Sequence, residues 1–129
     1  MNQEELKKRT KAFALRVIRV VESLPRTMTG KAIGGQLIRS GTSVGANYRA
    51  ACRARSKAEF AAKIGTVVEE ADETAFWLEL LIASQILPPS RLQPLLAETN
   101  ELTAIFAAAR KTVSRAAIIN RQSSIGDTP

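Results

Sequence analysis

A chain of 129 residues with a formal net charge of +7, one cysteine and no histidine is sized for a single domain around one core. One cysteine excludes an intramolecular disulfide, and a reducing, cytoplasmic compartment is the simpler expectation. The polar stretch from Met1 to Lys11 excludes a standard signal peptide, and no apolar run approaches the roughly 20 residues that a membrane span needs. Few prolines, glycines and aromatics, beside abundant Ala, Leu, Glu, Arg and Lys, favour helix over sheet.

Leu6, Phe13, Val17, Val20 and Leu24 recur at helical spacing and are followed by Pro25, which predicts a first helix over about 3–23. Thr27 and Thr29 are candidate N-caps for a second helix, about 29–54, with Ile33, Leu37, Ser40, Val44 and Ala51 facing inward. Ser56-Lys57-Ala58-Glu59 reads as a capping box in which the serine oxygen and the glutamate each satisfy the other's backbone N–H. From it, Phe60, Ile64, Val67, Ala71, Thr74, Leu78, Leu81 and Gln85 alternate steps of four and three, predicting a third helix over 57–86 that Pro88-Pro89 ends. Ser90-Arg91-Leu92-Gln93 repeats the capping logic. Leu92, Leu95, Thr99, Leu102, Phe106, Ala109 and Val113 then predict a fourth helix over 91–116, with Pro94 a mild misfit in or just past its first turn.

Residues 118–129 have no periodicity and read as a flexible tail, leaving one domain over 1–117. Four amphipathic helices on short connections predict an all-α, antiparallel up-down-up-down four-helix bundle.

Charge is segregated along the chain: residues 1–63 carry +10, residues 64–109 carry −6 and residues 110–129 carry +3. At 100° per residue Arg39, Arg49 and Arg53 fall opposite the apolar face of the second helix, and Arg55, Lys57 and Lys63 follow downstream. Such a stripe is either a solvated face or a set of phosphate contacts. On the third helix Glu69, Asp72, Glu73 and Phe76 face away from the seam, with Trp77 on the flank. An outward phenylalanine among acids is either one of the scattered apolar residues common on surfaces or part of a subunit interface, and pairing the basic stripe of one subunit with the acidic stripe of the next would be heterologous and build a ring.

Gly34, Gly41, Gly45 and Cys52 share a further stripe on the second helix. Close approach of a neighbouring helix is the favoured reading, a kink near Ser40–Gly45 the alternative, and Cys52 is expected to be a packed thiol.

The chemistry of an active site is missing. Without histidine the chain lacks the commonest general base and metal ligand. Glu69, Asp72, Glu73 and Glu98 are read as outward rather than as the inward Glu-x-x-His pairs of a di-iron bundle, and Gly30-Lys31 lacks the rest of a P-loop. The expectation is a non-enzymatic protein with no cofactor and no metal.

The stretch from Gln36 to Glu59, QLIRSGTSVGANYRAACRARSKAE, followed by Phe60 and by EEADETAFWLELL over 69–81, resembles the four-helix-bundle family of ribosomal-RNA intervening-sequence proteins. Its most specific pieces are Gln36-Leu37-x-Arg39-Ser40, Ser43-Val44-x-x-Asn47, Ser56-x-x-Glu59-Phe60 and Glu70-x-x-Glu73-Thr74 through Leu78-Glu79. The resemblance spans about residues 5–115. It implies a bacterial protein that assembles into a barrel-like homopentamer. Relatives include the accessory protein of diversity-generating retroelements, whose basic surfaces bind nucleic acid and a reverse transcriptase. Where similar proteins follow the Asn47 position with Ile-Ala-Glu-Gly, this chain has Tyr48-Arg49-Ala50-Ala51, which loses an acid and gains an arginine. The family carries no catalytic residues over.

The function expected on these grounds is binding of structured RNA or DNA by a homo-oligomer through Arg39, Arg49, Arg53, Arg55, Lys57 and Lys63. Glu69, Asp72, Glu73, Phe76 and Trp77 are placed at subunit contacts, and a scaffold whose charged faces serve only those contacts is the alternative.

Overall fold

The side chain of Asn2 accepts a hydrogen bond from the backbone N–H of Glu5 while Glu5 reaches back to the Asn2 N–H, a capping box that starts α1, Gln3–Glu22. The computed structural model describes the backbone of residues 1–126 and the side chains of residues 1–115. Thr27 caps α2, Met28–Ala51, by accepting from Gly30 N at 3.0 Å. Ser56 caps α3, Lys57–Ala83, through Glu59 N at 3.0 Å, but Glu59 reaches back to Arg55 N rather than to Ser56 N as expected. The last helix is α4, Pro89–Gly126, and the described residues contain no strand.

Several expected ends move. α2 stops at Ala51, where Cys52, Arg53 and Ala54 tighten into short-range turns. α3 stops at Ala83, before Pro88-Pro89, because Gln85 adopts φ 59° just past the C-cap Ser84. A left-handed residue there ends the helix, so Gln85 is exposed instead of continuing the seam. Ser90 does not cap α4. The helix opens with Pro89 in its first position, where a missing N–H costs nothing, and Arg91 N bonds Pro88 O at 3.0 Å. Pro94 therefore sits in the second turn. α4 also runs past the boundary expected at 116, so the stretch assigned to a tail is helical as far as Gly126, and residues 127–129 lie outside the described residues. No proline or glycine interrupts 116–125, and local propensity alone allows the helix to continue.

Each helix packs on the next in chain order and α4 returns to α1, the slimmest of the four contacts. The glycine stripe explains the first pairing. A Cβ at Gly34 would meet Leu24 and Val21 at 3.2 and 3.4 Å, one at Gly41 would lie 2.7 Å from Val17, and one at Gly45 would lie 3.2 Å from Thr10. As α2 ascends α1 descends, so the two are antiparallel and pressed together over the small residues; α2 is one uninterrupted helix, which resolves the stripe in favour of close approach. The same antiparallel order joins α3 to α4, where Arg110 lies against Gly65 and Phe60 shares a hollow with Thr112.

The core runs the length of the bundle through Leu6, Phe13, Val17, Leu37, Val44, Ile64, Val67, Leu78, Leu81, Leu92, Leu102 and Phe106. These are the seam positions that the periodicity marks. Tyr48 joins them unexpectedly, its ring centroid 5.1 Å from that of Phe106, and burial pushes its phenol pKa up. Each buried serine or threonine hydroxyl among the described residues has a partner: Thr10 bonds Leu6 O, Thr99 bonds Leu95 O, and the hydroxyls of Ser40 and Thr74 meet at 3.0 Å between α2 and α3. Cys52 is half-buried at the end of α2.

Candidate functional site

Antiparallel packing carries the N-terminal turns of α1 to the C-terminal turns of α2, and the charge of both segments accumulates there. Lys7, Lys8 and Lys11 of α1 face Arg49 of α2 across an open groove of about 490 Å³. Gly45, Ala46 and Ala14 form part of its walls, so the close approach that the glycines permit also shapes the groove. Lys7 pairs with Glu4 at 3.2 Å, whereas among the described residues Lys8, Lys11 and Arg49 have no carboxylate within ion-pair distance. The lysines were legible as the run Lys7-Lys8-Arg9-Thr10-Lys11. Sequence reasoning passed over them because nothing local says which helix they will face.

The basic surface continues over the α2–α3 turn. Arg53 and Arg55 are exposed in the turn itself, and exposed Lys57 opens α3. Arg55 and Lys57 border a shallow hollow with Phe60 and Thr112 of α4. Lys63 is half-buried about one and a half turns further along α3. Antiparallel α4 delivers Arg110 and Lys111 to this same end of the bundle. Five of the six expected cations, Arg49, Arg53, Arg55, Lys57 and Lys63, thus belong to one end.

Arg39 stands apart. It lies about 15 Å along α2 from Arg49 at 1.5 Å per residue, and α3 engages it: Nη1 is 3.3 Å from Glu70, and Nη2 bonds Glu73. Glu73 also accepts from Trp77 Nε1 at 3.1 Å. Arg39 was expected among the open cations and Glu73 among intersubunit contacts, but the two satisfy each other within one chain. The reason is the flank of α3 that carries 70, 73 and 77, which lies along α2. Glu69, Asp72 and Phe76 remain on the outward face, where Phe76 is 51% exposed and meets the half-buried Trp77 edge-on at 5.0 Å.

Glu98 corrects another expectation. It is not an outward carboxylate: only 17% of its side chain is exposed, and Arg9 of α1 grips it with Nε at 2.9 Å and Nη2 at 2.8 Å while also reaching Glu101 at 2.8 Å. These hydrogen bonds hold the Glu98 carboxyl below its ordinary pKa. Among the described residues, no group of three or more His, Cys, Asp or Glu side chains is placed to hold a metal, and no helix is long and apolar enough to cross a membrane.

The sequence model of the family described as 23S rRNA-intervening sequence protein matches residues 2–108. The chain belongs to that family. A crystal structure of a protein from the S23 ribosomal protein family of Bacteroides thetaiotaomicron, described as having unknown function, is similar at 31% identity with a TM-score of 0.79. The alignment covers 86% of this chain and 99% of that one. A comparison with curated proteins finds no match. The family match contains the α1–α2 groove and the α2–α3 turn but stops before Arg110 and Lys111.

Proposed function

We propose that the protein is a non-enzymatic, homo-oligomeric bundle that binds structured RNA or DNA through its basic end. The observation that carries the reading is the convergence of Lys8, Lys11, Arg49, Arg53, Arg55 and Lys57 at one end of the bundle, on an exposed surface contributed by three helices. Of the acids at that end, Glu5 and Glu59 are occupied in helix caps and Glu4 in the pair with Lys7. Unpaired cations on a common surface attract a polyanion by releasing its condensed counterions.

The aromatics favour backbone contact over base reading. Proteins that hold single strands stack bases on exposed aromatic rings. Here Phe13, Tyr48 and Phe106 are buried, Phe60 is half-buried against the core, and exposed Phe76 lies on the acidic face of α3. A surface of cations whose one flanking ring, Phe60, is half-buried against the core suits the phosphates of a folded or paired nucleic acid.

The outward face with Glu69, Asp72 and Phe76, flanked by Trp77, is the surface we assign to contacts between copies, and the family resemblance supports a pentameric ring. The nucleic-acid reading is tested by titrating a labelled ribosomal RNA hairpin at several salt concentrations. Binding should weaken steeply with salt and be lost on combining Arg49→Glu with Arg53→Glu while the oligomer mass is retained. Disassembly by those two reversals, with no RNA binding by the intact protein, would favour a scaffold whose cations serve subunit contacts instead.

A further inference from the structure

α3 carries one interior glycine, Gly65, and it is buried. Glycine weakens a helix interior relative to alanine, so its surroundings are informative. A Cβ at this position would lie 3.1 Å from Cζ, 3.2 Å from Nε and 3.4 Å from Nη2 of Arg110. Three guanidinium atoms at nearly equal distances mean that the plane of the group is turned face-on to the α3 backbone. Gly65 is therefore a berth: it lets α4 lay a guanidinium against α3 and leaves the N–H edges of that group directed sideways.

Among the described residues no carboxylate lies within ion-pair distance of Arg110, and Glu69, one turn along α3, forms no ion pair. Arg110 borders a surface hollow of about 320 Å³ together with Lys111 and Ser114. Ser114 is four residues on from Arg110 and so shares its helix face. A planar fork of donors, an ammonium and a hydroxyl around one hollow are matched to the oxygens of a phosphate.

We infer that Arg110, Lys111 and Ser114 form an anion subsite that takes one phosphate group of a bound nucleic acid, with Gly65 as the residue that positions Arg110. The phosphodiester as the source rests on the function proposed above; a free polyphosphate is the other source of the same chemistry. The subsite lies beyond the segment matched to the family and contains none of the groove residues. It would give the basic end a second strip of contact on the α3–α4 side.

The test uses the full chain, a labelled 20-base-pair RNA duplex and inorganic pyrophosphate. Arg110→Gln should lower the slope of log affinity against log salt by about one contact. Gly65→Ala removes no charge, but it pushes the guanidinium outward by a few tenths of an ångström and should lower affinity in the same direction, by less than Arg110→Gln; circular dichroism and a melting curve establish that the variant folds. Equal duplex affinity for wild type, Gly65→Ala and Arg110→Gln, with Arg49→Gln still weakened, would overturn the subsite and leave the proposed function standing. If the duplex does not bind but pyrophosphate shifts the Arg110 Nε–Hε resonance in wild type and not in Gly65→Ala, the subsite stands and the nucleic-acid reading falls. Neither ligand binding would overturn both.

Discussion

Arg9 of α1 holds Glu98 of α4 through two parallel hydrogen bonds, at 2.9 Å from Nε and 2.8 Å from Nη2. The pair spans the slimmest of the helix contacts, so it clasps the bundle where apolar packing is least extensive. Fork-to-carboxylate geometry is the strong form of an ion pair, and limited exposure of both groups reduces solvent screening.

The clasp makes stability depend on pH with a definite sign. The folded carboxyl is depressed below its ordinary value of 4.5, so its contribution is complete above that value and is lost as pH falls through the folded pKa. Wild type should therefore lose stability on acidification below about 4.5, and Glu98→Gln should lose less over the same window. At neutral pH Glu98→Gln should cost about 1–2 kcal/mol, discounted for the remaining exposure. Urea melts at pH 7 and pH 4 check both statements, and identical pH dependence in the two proteins would contradict the assignment.

Glycine substitutions should separate packing from propensity. At Gly41 a new methyl would sit 2.7 Å from Val17, which predicts a loss of about 1–3 kcal/mol for Gly41→Ala, partly recovered by adding Val17→Ala. At Gly35 nothing lies within 4 Å, so Gly35→Ala should raise stability by about 0.5–1 kcal/mol through helix propensity. Thermal melts of the two single variants should move in opposite directions.

Thr74→Val removes one member of a buried hydroxyl pair and leaves Ser40 with the Leu37 carbonyl at 3.3 Å as its remaining partner. A loss of about 1–2 kcal/mol is expected. The double variant Ser40→Ala with Thr74→Val should lose less than the sum of the single changes, as a double-mutant cycle in urea would reveal.

Arg39 and Arg49 should divide by role. Arg39→Gln breaks contacts with Glu70 and Glu73 and should alter stability by at most about 1 kcal/mol, because the pair is exposed, while leaving the salt dependence of RNA binding unchanged. Arg49→Gln should leave the melting temperature in place and lower the salt slope by about one contact. Fluorescence anisotropy at four salt concentrations distinguishes them.

If copies assemble through the outward face of α3 as proposed, Phe76→Asp should lower the mass in solution without loss of helicity, because the ring is 51% exposed in the single chain and contributes little to its core. Light scattering with circular dichroism on the same sample measures both. An unchanged mass would remove Phe76 from the proposed contact between copies.

Periodicity by itself determined which face of each helix is inside: Leu37, Val44, Ile64, Leu78 and Phe106 are where their spacing of three and four residues places them, because burial of an apolar stripe is a local pattern with a global reward. The capping residues Thr27 and Ser56 were legible for the same reason, since a cap is made within one turn. Only the tertiary structure decided partners. Arg39 looked as open as Arg49, and Glu98 as open as Glu69, until α3 and α1 supplied the opposite charges. The separation of an ion pair such as Arg9 and Glu98 by 89 residues leaves no trace in local spacing, and the same holds for Gly65, whose purpose appears only when Arg110 of another helix is laid upon it.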